Sequence, residues 1–235
     1  MAKSDHGKPA RTGWSRAYEE AWEKLYNKKE TDMTNKEKAE HYFAEELDSI
    51  KNKDIKDFAL DVFEKLTPDY FWTVPCSTSG KYHPKVSLGT GGLIRHVKLA
   101  VWWGVELVKA MEMEKYHDEM VAALLLHDLI KNGKDLDSRG FPLERGVTGR
   151  HGVTLARKLY DVNHNMTDRS WGFIKTGIAC HMGIWTTNSD YKPDNDFTRL
   201  IHLADYCASR KVDAEMVELN KLEIGDSNGS EPIQE

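Results

Sequence analysis

Ten histidines in 235 residues are the groups best suited to chemistry in this chain, because imidazole is the commonest protein metal ligand and titrates near neutral pH. Four of them recur with two aspartates in helix-like stretches: His96 in GGLIRHVKLA, His127 and Asp128 in ALLLHDLIKNG, His151 in GRHGVTLA, His181 in GIACHMGIW and Asp205 in LIHLADYCASR. Their neighbours at helical spacing are apolar. His96 has Leu93 and Ala100 at i−3 and i+4, His181 has Ile174 and Ile178 at i−7 and i−3, and Asp205 has Ile201 and Ala208 at i−4 and i+3. A carboxylate aimed into a core must be paired, hydrogen-bonded or bound to metal, since its isolated burial is prohibitively costly. One histidine beside leucines is ordinarily a hydrogen-bonded core residue. Four imidazoles and two carboxylates from five helices can instead give one cation three or four donors and a second cation three, if one carboxylate bridges. The set predicts a metal centre with donors enough for two divalent transition-metal ions, and these N and O donors accept manganese, iron, cobalt, nickel or zinc.

The elements that must position these residues read as helix upon helix, over about 93–113, 117–131, 152–160, 169–182 and 197–212. An amphipathic helix is expected over 55–66, ended by Thr67-Pro68 because the residue before proline is pushed out of helical conformation. Residues 14–54 read as a charged helical extension whose stripe of Trp14, Tyr18, Trp22, Leu25 and Tyr26 suits packing on the core or on a second copy in a homodimer. Between Phe71 and Gly92 the Pro, Gly, Ser and Thr content predicts an ordered loop. A second loop is expected over 135–147. No strand-like alternation sustains itself, so the fold class is all-α. The organisation is a helical extension over 1–54, a metal-binding helical domain over 55–212 and a disordered acidic tail over 213–235.

Composition narrows the function classes. Thirty-three Lys+Arg against 38 Asp+Glu give a net charge of −5, which argues against a general nucleic-acid coat. Seven acidic residues and one lysine beyond Val212 account for that bias and leave the body close to neutral. Cys76, Cys180 and Cys207 form no C-x-x-C pair, so neither a disulfide framework nor a thiolate zinc site is indicated, and a reducing cytoplasm fits. No run of about 18 apolar residues occurs, so no membrane span is expected.

The order His, His-Asp, His, His, Asp resembles the HD-domain superfamily of metal-dependent phosphohydrolases, over about 71–210. Its more specific parts are GGLIRH ahead of the dipeptide, Lys131 after it in His127-Asp128-Leu129-Ile130-Lys131, and the distal LIHLAD. The loop Phe71-Trp72-Thr73-Val74-Pro75-Cys76-Ser77, then Tyr82-His83-Pro84 before Gly91-Gly92-Leu93, looks like that of the branch containing bacterial 3′ to 5′ exoribonucleases. That branch carries alanine, histidine and glycine where this chain has Cys76, Tyr82 and Ile130. The resemblance implies that His96, His127, Asp128 and Asp205 hold one metal while Asp128 bridges to a second held by His151 and His181. It also implies phosphate-ester hydrolysis by a water or hydroxide held between the cations, whose pKa falls from 15.7 to about 7 in favourable sites.

Other residues enter as substrate contacts. Lys131 lies one helical turn beyond the dipeptide and suits a phosphate oxygen. His83 and Lys85 in the loop, Arg150 before His151 and Arg210 after Asp205 are candidates to meet a phosphate. His202, at i−3 from Asp205, is expected to support the centre without ligating it. The leading expectation is a hydrolase for a phosphoester or phosphoanhydride in a nucleotide or short single-stranded oligonucleotide. Two others stand beside it: a mixed-valent di-iron oxygenase acting on an organophosphonate or polyol, and a non-catalytic nucleotide-binding module.

Overall fold

A computed structural model describes residues 33–77, 80–133, 149–186 and 189–210. They form an all-α fold, with no strand among the described residues. The helices are α1 (Asn35–Tyr42), α2 (Ala44–Ser49), α3 (Lys53–Leu66), α4 (Gly92–Ala110), α5 (His117–Leu126), α6 (His151–Lys158), α7 (Asp168–Cys180) and α8 (Asp196–Ala208), joined in places by short 3-10 turns. All lie in the compact unit Thr34–Leu222. No helix among the described residues is long and apolar enough to cross a membrane.

Local chemistry sets where the helices begin. Thr34 and Glu37 form a reciprocal capping box at the start of α1. The Asn52 side chain accepts from the backbone N–H groups of Asp54 and Ile55 at α3, Thr167 accepts from Ser170 at α7, and Asn195 accepts from Thr198 at α8. The charged helical extension expected over 14–54 is, in its described part, two short helices broken at Phe43. That ring is fully buried and stacks 5.5 Å from Phe63, so packing on the core overrides helix continuity there. The aromatic stripe from Trp14 to Tyr26, the loop over 135–147 and the acidic tail lie outside the described residues.

Helix α5 forms the middle of the bundle. Every residue from Met120 to Leu126 is buried, at about 1.5–3 kcal/mol per large side chain taken out of water. Helices α4, α7, α3 and α2 surround it; α8 lies along α4 and α7, and α6 covers α7. Gly104 lets α4 close on α5, since a Cβ there would stand 2.5 Å from Leu124 and Met120.

The loop expected between Phe71 and Gly92 is pinned to the N-terminal end of α4. Cys76 N–H donates to Ser87 O, Gly91 N–H to Thr73 O and Leu93 N–H to Val74 O, at 2.9–3.0 Å. The buried Arg95 guanidinium donates to the carbonyls of Val86, Leu88 and Thr90, gathering the loop's backbone around one cation.

Candidate metal centre

The six residues singled out by their apolar surroundings converge. His96 projects from α4 and Asp205 from α8, His151 opens α6, and His127-Asp128 and His181 stand just past the ends of α5 and α7. The helix expected over 117–131 therefore stops at Leu126, and the one expected over 169–182 at Cys180. One device explains both. Nδ1 of His127 lies 2.6 Å from Leu124 O and Nδ1 of His181 lies 2.7 Å from Ile178 O, so each ring takes a carbonyl left open at a helix end. Because a carbonyl only accepts, Nδ1 must carry a proton, which leaves Nε2 as the ring atom that faces the centre.

Two groups of donors result. Nε2 of His96 lies 3.1 Å from Asp205 Oδ1 and 3.4 Å from Nε2 of His127, which is itself 3.6 Å from Asp205 Oδ1. On the other side Asp128 Oδ1 lies 2.9 Å from Nε2 of His151 and 3.6 Å from Nε2 of His181, with the two nitrogens 2.8 Å apart. Asp128 Oδ2 turns to the first group, 3.4 Å from His96 and 3.5 Å from His127. Donors about 2.1 Å from one cation stand about 3.0 Å apart at right angles and about 3.4 Å apart in a tetrahedron. The observed spacings bracket those values. These His and Asp groups could hold metal ions, and the donor chemistry fits.

Burial and charge are balanced around Asp128. Burial alone would raise its pKa, yet the charges of Lys131 and His127 and hydrogen bonds from His151 and His181 hold it well below the ordinary carboxylate value. Asp205 is likewise held low against burial, by hydrogen bonds from His127 and His96. The Lys131 ammonium is 2.9 Å from Asp128 Oδ2 and buried.

One participant went unassigned in the sequence. Cys76 is fully buried, with its sulfur 3.5 Å from Lys131 Nζ, and with His83 and His96 it makes a third group whose ligand atoms lie within 4.8 Å of one another. Burial raises its thiol pKa, but the charges of His96, Lys131 and His83 override this and hold it down to about 5. Its only sequence signal was its place in the Pro/Gly-rich loop.

The remaining candidates sit around this core. His83 is half-buried, its ring centroid 5.6 Å from that of His96. Lys85 and Arg150 are exposed, the latter directly before His151. Arg210 lies against the rings of Tyr206, Trp185 and Tyr82. His202 bonds through Nδ1 to the carbonyl of His181 at 2.7 Å. Compared with known proteins, the chain matches no family model, no curated protein and no solved structure, so its function is read from the geometry of this centre.

Proposed function

We propose that the protein is a two-cation phosphohydrolase acting on a phosphoester or phosphoanhydride of a nucleotide or short single strand. The observation that carries this reading is the division of Asp128, whose Oδ1 faces His151 and His181 while Oδ2 faces His96 and His127. A carboxylate so divided suits a pair of adjacent cations, of which manganese and iron are the first candidates. Cations bound there supply Lewis acidity toward phosphate oxygens and lower the pKa of water at neutral pH.

The protein's own groups prepare the site. The Leu124 and Ile178 carbonyls fix the ring orientation of His127 and His181. Lys131 fixes Asp128 and places a positive charge where negative charge grows on a phosphorus centre. His83, Lys85, Arg150 and Arg210 are assigned to the substrate's phosphates, the arginines because their planar fork matches phosphate. The resemblance to HD-domain phosphohydrolases supports the same reading.

The test is phosphate release from nucleotides, cyclic dinucleotides and short single strands, with manganese and iron supplied separately and with and without oxygen. Release without oxygen is the expected result. Oxygen uptake by iron-loaded protein with no release from any of these pools would replace the hydrolase with an oxygenase.

A further inference from the structure

An exposed group of rings stands next to the centre. Tyr82, Trp185 and Tyr206 are 55 %, 47 % and 37 % exposed, so each leaves a large part of an apolar ring open to solvent. They come from three separate segments and gather around one guanidinium. Arg210 Cζ lies 4.0 Å from the Tyr206 ring centroid, 5.5 Å from that of Trp185 and 5.6 Å from that of Tyr82. Trp185 and Tyr206 are nearly parallel, at 11° with centroids 5.7 Å apart, an offset arrangement that leaves ring surface open to solvent.

This group is tied to the donors at three points. Tyr82 precedes His83, whose ring packs on His96. Tyr206 follows Asp205, and neighbouring Cα atoms are about 3.8 Å apart. His202 touches the rings of Trp185 and Tyr206 and bonds to the His181 carbonyl. Lys81, 5.0 Å from the Tyr82 ring, and exposed Lys85 add positive charge along the same loop.

We propose that Tyr82, Trp185 and Tyr206, gathered around Arg210, form a stacking platform for a nucleobase, seating the base while its attached phosphate meets the guanidinium and reaches the centre. Flat π surfaces interleaved with cations match a ligand whose flat bases alternate with anionic phosphates. Duplex bases already stack on their neighbours, so the occupant is an unpaired base. Delivery of the phosphate rests on the phosphohydrolase reading; the base site rests on the rings and the guanidinium.

The experiment measures binding without turnover. Fluorescence anisotropy of the full chain, stripped of metal by chelation, compares a short labelled thymidine oligonucleotide with an abasic strand of the same length, and thymidine monophosphate serves as competitor. The thymidine strand is expected to bind at least tenfold more tightly than the abasic one. Trp185→Ala and Tyr206→Ala each remove about tenfold of that preference with unchanged Tm, while abasic binding stays as it was. Trp185→Phe restores most of it. Displacement by the monophosphate at matching concentration assigns the platform to free nucleotides, and a need for the oligonucleotide assigns it to strand ends. Equal binding of both strands, or an undiminished preference in both alanine variants, overturns the platform. Because no turnover is required, failure of hydrolysis and failure of the platform are told apart.

Discussion

A Cβ built on Gly152 would stand 2.8 Å from Nδ1 of His181 and 2.5 Å from the carbonyl oxygen of Ile178. Those are the two atoms whose mutual bond aims the imidazole at Asp128. The residue after a proposed ligand is thus held to glycine by the ligand from the neighbouring helix. Gly152→Ala is expected to tilt His181 and weaken the cation held by Asp128, His151 and His181 by about 10–100-fold, as loss of orienting partners does elsewhere. Metal analysis after dialysis should find the other site still filled; full occupancy of both would show that His181 does not need this support.

Asp128 and Lys131 separate by substitution. Asp128→Ala removes the shared carboxylate that ion-pairs with the buried Lys131 ammonium, so metal content and activity should fall together, with a stability loss of about 3–5 kcal/mol. Lys131→Met keeps the bulk of the stem and should retain metal while phosphate release drops by about 100-fold. Retention of both metals and full turnover by Asp128→Ala would falsify the bridging assignment.

The pH dependence of metal stabilisation has a definite sign. In the metal-free chain burial opposes charging of His96, but the Cys76 thiolate and hydrogen bonds with Asp128 and Asp205 hold its pKa well above 6.5. A raised folded-state pKa gives stability that is fully present below about pH 6.5 and is lost as pH rises through the raised value. Cation binding runs the other way, because imidazole must be neutral to ligate. The Tm gap between manganese-loaded and chelator-treated protein should therefore widen from pH 6 to pH 8. A gap that narrows over that interval would remove His96 from the ligand set.

Arg95 offers a test away from the donors. Arg95→Met leaves the carbonyls of Val86, Leu88 and Thr90 without their shared donor, at a cost of about 2–4 kcal/mol in urea denaturation. Proteolysis should then start within the loop between Cys76 and Thr90. Cleavage at the wild-type rate would mean that the loop is held by its backbone bonds alone.

The bundle and the convergence of its six His and Asp residues were legible because periodicity reports which helix face is buried, and an aspartate such as Asp205 with Ile201 and Ala208 at helical spacing cannot be buried without a purpose. The C-terminal ends of α5 and α7 were not, although Thr67-Pro68 did mark the end of α3. Leu129 and Ile130 continue the apolar run after His127, and nothing in that pattern says that the imidazole will bond to Leu124 O and compete with the helix for that carbonyl. Arg95 was hidden for a related reason: nothing within GGLIRHVKL shows that the loop folds back to bring three carbonyls to its guanidinium. Cys76, Tyr82, Trp185 and Tyr206 follow no period, and only the packing of separate segments brings them together.

The pairing of His96 on α4 with Asp205 on α8 also orders events in time. A chain growing from its N-terminus has made His96, His127, His151 and His181 before Asp205 exists, and 3.1 Å between His96 and Asp205 is reached only once α8 docks along α4. The first group of His and Asp residues is thus completed by the last described helix, so a cation that needed all of that group could be captured only at the end of folding and could not nucleate it.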